Sequence, residues 1–102
     1  MTKKRFSMRQ IFNKESIAKV PKNKPIVYEI LNKTGKNVYT GHAKRGQVSK
    51  RLKIHLPGRR DAVPGSKFFR IKQLSSVKEA KTKEQEIIKR EKPKFNIVGT
   101  NR

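Results

Sequence analysis

Six residues could do chemistry together: Tyr28, Tyr39, Arg51, His55, Glu84 and Asn96. Arg51 and His55 stand four apart, so on a helix they project from one face. A guanidinium holds a phosphate and offsets its added charge, and an imidazole donates a hydrogen bond or moves a proton. Glu84 falls on the apolar stripe Val77, Ala80, Ile87, Ile88 of a lysine-rich segment. A carboxylate on a buried stripe is costly unless a metal ion or an arginine meets it, whereas at the stripe's edge it reaches solvent. Tyr28 ends Ile26-Val27-Tyr28, and Tyr39 opens Tyr39-Thr40-Gly41. A phenol beside a cation acts as a general base or orients a water. Gly41 lets the backbone approach a ligand closely. Asn96 offers an amide to hold a loop or contact a ligand. Taken singly, each has a plainer reading: core packing for the tyrosines, a solvated basic face for Arg51 and His55, turn capping for Asn96.

These residues need elements to position them. Residues 25–31 alternate as a strand, with Ile26, Tyr28 and Ile30 on one face and Val27, Glu29 and Leu31 on the other. A turn at 32–36 leads to a returning strand at 37–40, which makes a hairpin. The spacing of Val48, Leu52 and Leu56 predicts a helix over 47–56, ended by Pro57-Gly58. A loop rich in Gly, Pro and Arg fills 57–66, and a third strand follows at 68–71. Ser76 and Glu79 form a capping box that opens a helix of about 14 residues, stopped before Pro93. The tail from Asn96 is expected to pack back on the sheet at Ile97 and Val98.

Composition narrows the partners. The chain has 102 residues, a size for one domain with a small core, and 32% are hydrophobic. Lys and Arg number 28 against 7 acidic residues, a formal charge of +21. A field of that strength favours a polyanion, whereas solubility needs only a balanced surface. There is no cysteine, which excludes disulfides and thiolate zinc sites, and two histidines make a structural zinc site a poor fit. No apolar run is long enough to span a membrane, and residues 1–20 lack the apolar stretch of a signal peptide. A cytoplasmic location is therefore expected, and no membrane partner. Residues 1–24 carry eight basic side chains and one acid, Glu15, with a weak stripe of Ile11, Phe12, Ile17 and Val20. They read as a basic arm or short helix ahead of a domain over 25–102, packed loosely or lying on nucleic acid.

The order Tyr-x-Gly, Ala43-Lys44, Arg51, His55, a capped helix with Glu84 and then Pro93-Lys94-Phe95-Asn96 resembles the GIY-YIG nuclease family over residues 25–98. That family includes homing endonucleases, the N-terminal nuclease of a bacterial excision-repair protein and some restriction enzymes. The resemblance implies an α+β fold, a small three-stranded antiparallel sheet flanked by helices. It implies that Tyr28 and Tyr39 are the motif tyrosines, either of which could be the base. Arg51 would bind phosphate, and His55 stands where the family has His or Tyr. Glu84 would hold one Mg²⁺ or Mn²⁺, and Asn96 closes the motif set. Ile26 replaces the glycine of the first motif, which bears on strand geometry rather than on a catalytic group.

The implied activity is metal-dependent hydrolysis of phosphodiester bonds, with DNA favoured over RNA. Lys44, Arg45, Arg59, Arg60 and Asn96 are the candidate nucleic-acid contacts. Three roles fit: a stand-alone endonuclease of a phage or mobile element, a nuclease toxin domain, or an RNA-cutting enzyme directed at tRNA. A toxin would be delivered into a target cytoplasm and would need an acidic immunity protein, captured fast by a basic surface. The competing class is a basic binding module without catalysis. Glu84 tells against it, because a polyanion binder gains nothing from a carboxylate beside its phosphate-binding arginine.

Overall fold

A computed structural model describes residues 6–98 of the chain. Eight elements follow one another: β1 (Gln10–Ile11), α1 (Lys14–Ala18), β2 (Ile26–Leu31), β3 (Asn37–Ala43), α2 (Val48–Lys53), β4 (Phe68–Gln73), α3 (Val77–Glu91) and α4 (Lys94–Val98). The strands form one antiparallel sheet in the order β1-β4-β2-β3. The α+β architecture is the expected one, with a fourth strand added to the three read from the sequence.

The central strand β2 is buried at every residue because helices cover both faces of the sheet. Its Ile26, Tyr28 and Ile30 join Val48 and Leu52 of α2, Ile17 of α1 and Phe69 of β4 in the main core. The opposite face carries Val27, Glu29 and Leu31 and meets α3, whose Ala80 and Ile87 are buried. The carboxylate of Glu29 is 1% exposed and takes a 2.7 Å hydrogen bond from Nε of Arg70, its directly opposed neighbour on β4. Burial pushes the Glu29 carboxyl above its usual range, and Arg70 pulls back against that rise.

Four features differ from the sequence reading. Residues 6–24, the described part of the segment before residue 25, are built into the fold. Gln10 and Ile11 pair with Phe69 and Phe68, and Phe12, Ile17 and Val20 are core residues. α2 is shorter than 47–56, because the chain past Lys53 turns to i→i−3 bonds, His55 N–H to Leu52 and Leu56 N–H to Lys53. The α3 cap forms at Ser76, whose hydroxyl accepts from Glu79 N–H at 3.1 Å, but the Glu79 carboxylate reaches the N–H of Ser75 instead of closing on Ser76. Beyond α3, Lys92 takes a left-handed turn (φ 48°), and α4 replaces the expected tail. The side chains of Ile97 and Val98 lie outside the described residues.

Candidate active site

The hairpin supplies the two tyrosines. Tyr28 on β2 pairs directly with Gly41 on β3, and Tyr39 pairs with Ile30, so both rings lie on the face covered by α2. Tyr28 is fully buried and Tyr39 half-buried. A Cβ on Gly41 would stand 2.5 Å from the Tyr28 hydroxyl and 2.6 Å from its Cζ. The glycine therefore makes room for the Tyr28 ring, a use different from the ligand approach expected of it. Ile26, in place of the motif glycine, is a core residue in register with Ala43 and Gln73. The strand is regular there.

The end of α2 and the loop after it place His55. The ring is 1% exposed. Its Nδ1 lies 2.9 Å from the backbone carbonyl oxygen of Asp61, and its Nε2 lies 2.8 Å from the Tyr28 hydroxyl. A carbonyl only accepts, so Nδ1 carries the proton. In the neutral ring Nε2 is then the acceptor, and Tyr28 donates to it. The N–H of Asp61 bonds Ile54 and that of Val63 bonds His55, which ties the 57–66 loop down over the helix end. Arg51 and His55 do not share a solvated face, since Arg51 is exposed and His55 is sealed. Both reach Tyr28, from opposite sides of exposure. Burial holds the Tyr28 phenol far above its ordinary range, and the nearby Tyr39 and Glu84 push the same way. The Arg51 guanidinium, in hydrogen-bonding contact, opposes them.

Glu84 resolves neither as a buried charge nor as a free surface one. Its side chain is 20% exposed, and its Oε1 lies 2.7 Å from Nδ1 of His42 on β3. His42 was not singled out in the sequence. Its signal was faint: a histidine directly after Tyr-Thr-Gly, on the strand face opposite the tyrosines. A cleft of about 250 Å³ lies beside edge strand β3, lined by His42, Lys44, Gln47, Arg51 and Val77. A second groove of about 530 Å³ shares Lys44 and Val77 with it and continues past Arg45 to Lys24. Arg59 and Arg60 are exposed on the loop that holds His55. Asn96 is engaged at both ends of its amide: Oδ1 accepts from Thr40 N–H at 2.7 Å, and Nδ2 donates to Thr40 C=O at 2.8 Å. It clasps the outer edge of β3, next to both Tyr39 and Gly41.

The shape and order of these elements match known proteins. Residues 24–96 match the GIY-YIG catalytic domain. The chain belongs to this family. The GIY-YIG endonuclease domain of UvrC from Thermotoga maritima, bound to magnesium, superposes with a TM-score of 0.67 and is 30% identical. That match covers 80% of this chain and 92% of the other. An asparagine-to-alanine point mutant of the same domain, bound to its catalytic divalent cation, gives 0.66 at 29% identity, covering 79% and 90%. Comparison of the full sequence with curated proteins finds no match. As a GIY-YIG nuclease domain the chain is an enzyme of phosphodiester hydrolysis. Among the described residues no helix is long and apolar enough to cross a membrane.

Proposed function

We propose that this GIY-YIG domain is a metal-dependent endonuclease, with Glu84 holding one Mg²⁺ or Mn²⁺ and Arg51 gripping the scissile phosphate. The observation that carries the reading is the buried Tyr28 phenol, bonded to His55 and in hydrogen-bonding contact with Arg51, which borders the cleft lined by His42, the partner of Glu84. A solvent-reachable carboxylate, bonded to a histidine that lines the cleft beside Arg51, suits a hard divalent ion that keeps water among its ligands. The UvrC domain binds such a cation in the same fold. When bound, the ion supplies charge to steady the crowded phosphate and the departing oxygen.

The chain's own groups do the rest. Arg51, exposed at its tip and held at Tyr28, binds the phosphate and offsets its developing charge. Tyr28 is sealed and donates to His55, which makes it the post that fixes Arg51. Tyr39 is the tyrosine open to solvent, and its ring packs 4.6 Å from that of His55. We assign it to orienting the attacking water through its hydroxyl.

The groove past Lys44, Arg45 and Lys24 gives a sequence-independent track for the phosphate backbone. We favour duplex DNA, whose high phosphate charge density such a track meets without base contacts. The same basic surface suits a phage or mobile-element endonuclease, or a toxin domain met by an acidic immunity protein.

The test is cleavage of supercoiled plasmid, single-stranded DNA and total tRNA, with Mg²⁺ or EDTA, by wild type and Glu84→Ala. Metal-dependent plasmid nicking lost in the variant is expected. Loss of tRNA alone would transfer the activity to an RNA-cutting toxin. Retained cutting by Glu84→Ala overturns the metal assignment. No cutting at all, with salt-sensitive binding intact, makes the domain a binding module.

A further inference from the structure

We propose that His42 is the second protein ligand of the divalent ion, and that its ring nitrogen makes the site prefer Mn²⁺ to Mg²⁺. The proposal rests on the reading of Glu84 as the metal carboxylate and extends it to a residue on a different element.

Distance is the first argument. The His42 Nδ1 and Glu84 Oε1 atoms stand 2.7 Å apart. Neighbouring ligands of an octahedral ion, each about 2.1 Å from the metal, stand about 3 Å apart. An ion entering this pair takes the place of the ring proton, and the Glu84 carboxylate swings aside by roughly 2 Å to become its neighbouring ligand. An imidazole whose N–H is on Nε2 offers the Nδ1 lone pair to a metal.

Access is the second. The side chains of His42 and Glu84 are 28% and 20% exposed, enough for a hydrated ion to reach both. His42 also lines the cleft that Arg51 borders, so an ion beside it would face the bound phosphate.

The third argument is what the pair does not do for the fold. β2 pairing turns His42 toward the α3 side, away from the Tyr28 and His55 rings. α3 is docked through Ala80 and Ile87, both buried, so the half-open His42–Glu84 bond is not what seats the helix. Among the described residues no third His, Asp or Glu stands close enough to complete a protein cage. A two-residue site leaves positions for water and phosphate oxygens, as a catalytic centre requires.

Ligand chemistry sets the consequence. Mg²⁺ takes oxygen almost without exception, whereas imidazole nitrogen adds affinity for Mn²⁺ and the later first-row metals. Calorimetric titration of Mn²⁺ and Mg²⁺ into the full chain reads this without any cleavage step. Wild type is expected to bind Mn²⁺ at least about tenfold more tightly than Mg²⁺, and His42→Ala to lose about tenfold for Mn²⁺ and less for Mg²⁺. Pulsed EPR of the Mn²⁺ complex should show ¹⁴N coupling in wild type and none in His42→Ala. Circular dichroism confirms that each variant is folded, and His42→Asn keeps a hydrogen-bond donor facing Glu84. Absence of ¹⁴N coupling in wild type, or full Mn²⁺ affinity in His42→Asn, overturns the proposal and leaves His42 as a positioning residue for the carboxylate. Glu84→Ala separates the two readings. Metal binding lost there but kept in His42→Ala refutes only the histidine ligand, and metal binding kept in Glu84→Ala refutes the carboxylate site itself.

Discussion

Gly41→Ala is the sharpest perturbation the site offers, because one methyl group tests how tightly Tyr28 is held. The new Cβ would lie 2.5 Å from the Tyr28 hydroxyl and 2.6 Å from Cζ. Ordinary contact requires the ring to retreat by roughly 1 Å. Neither side has slack. The ring is fully buried, and β3 is paired to β2 on one edge and clasped by Asn96 on the other. A retreat of that size breaks the 2.8 Å bond to His55 and shifts the anchor of Arg51. Overpacking costs about 1–3 kcal/mol. The orphaned buried groups add a similar amount, about 1–3 kcal/mol. Misplacing a phosphate clamp by about 1 Å is worth about 100-fold in rate. The expected result is a folded protein, measurably less stable in urea, with kcat on plasmid down about 100-fold and DNA binding close to wild type. Repeating the substitution in a Tyr28→Phe background should cost less stability, since the closest atom is then gone. Wild-type melting and wild-type kcat in Gly41→Ala would refute the claim that the ring position is fixed by that glycine.

Three further outcomes follow from the same contacts. Tyr39→Phe should cut kcat by about 10²-fold or more with little loss of stability, while Tyr28→Phe should lower both; equal profiles in paired kinetics and melts would contradict the division of roles. Arg70→Met should destabilise by about 3 kcal/mol at pH 7 by leaving the Glu29 carboxylate buried alone. A carboxyl raised in the fold is tolerated when protonated, so this penalty should shrink as pH falls toward about 4, and a pH-independent loss in urea melts would exclude it. Asn96→Ala should cost about 1–3 kcal/mol by stripping partners from the buried Thr40 backbone, with DNA affinity unchanged in a filter-binding assay; a loss of affinity without a loss of stability would make Asn96 a substrate contact.

Local patterns were legible and partnerships were not. The β2–β3 hairpin, the third long strand and the Ser76 cap follow from alternation and capping chemistry, which act within a few residues. Strand β1 escaped because two residues, Gln10 and Ile11, carry no periodicity, and only the neighbouring β4 makes them a strand. Leu56 keeps helical spacing although its backbone has already turned, so periodicity alone overstates the length of α2. Residue types and order singled out Tyr28, Arg51 and His55, which the fold brings into contact, and Glu84, which it pairs with His42. His42 was missed because its meaning depends on α3 docking over β3, a contact 42 positions away in the chain. The constraint on Gly41 comes from the ring across the hairpin, which local sequence does not reveal.

The tautomer of His55 is set by the main chain of residue 61, not by any side chain. That separates two things which in most catalytic pairs are fused. Exposed side chains of the 57–66 loop, such as Arg59 and Arg60 on its outer surface, can be exchanged one at a time without altering which ring nitrogen bears the proton. The outer residues of the loop are thus free to change while the tautomer beneath them stays constant. The loop's length is not free: inserting or deleting one residue would carry the carbonyl out of reach and reset the ring. Diversification here should proceed by substitution, and laboratory evolution of altered cleavage preference has a natural place to begin.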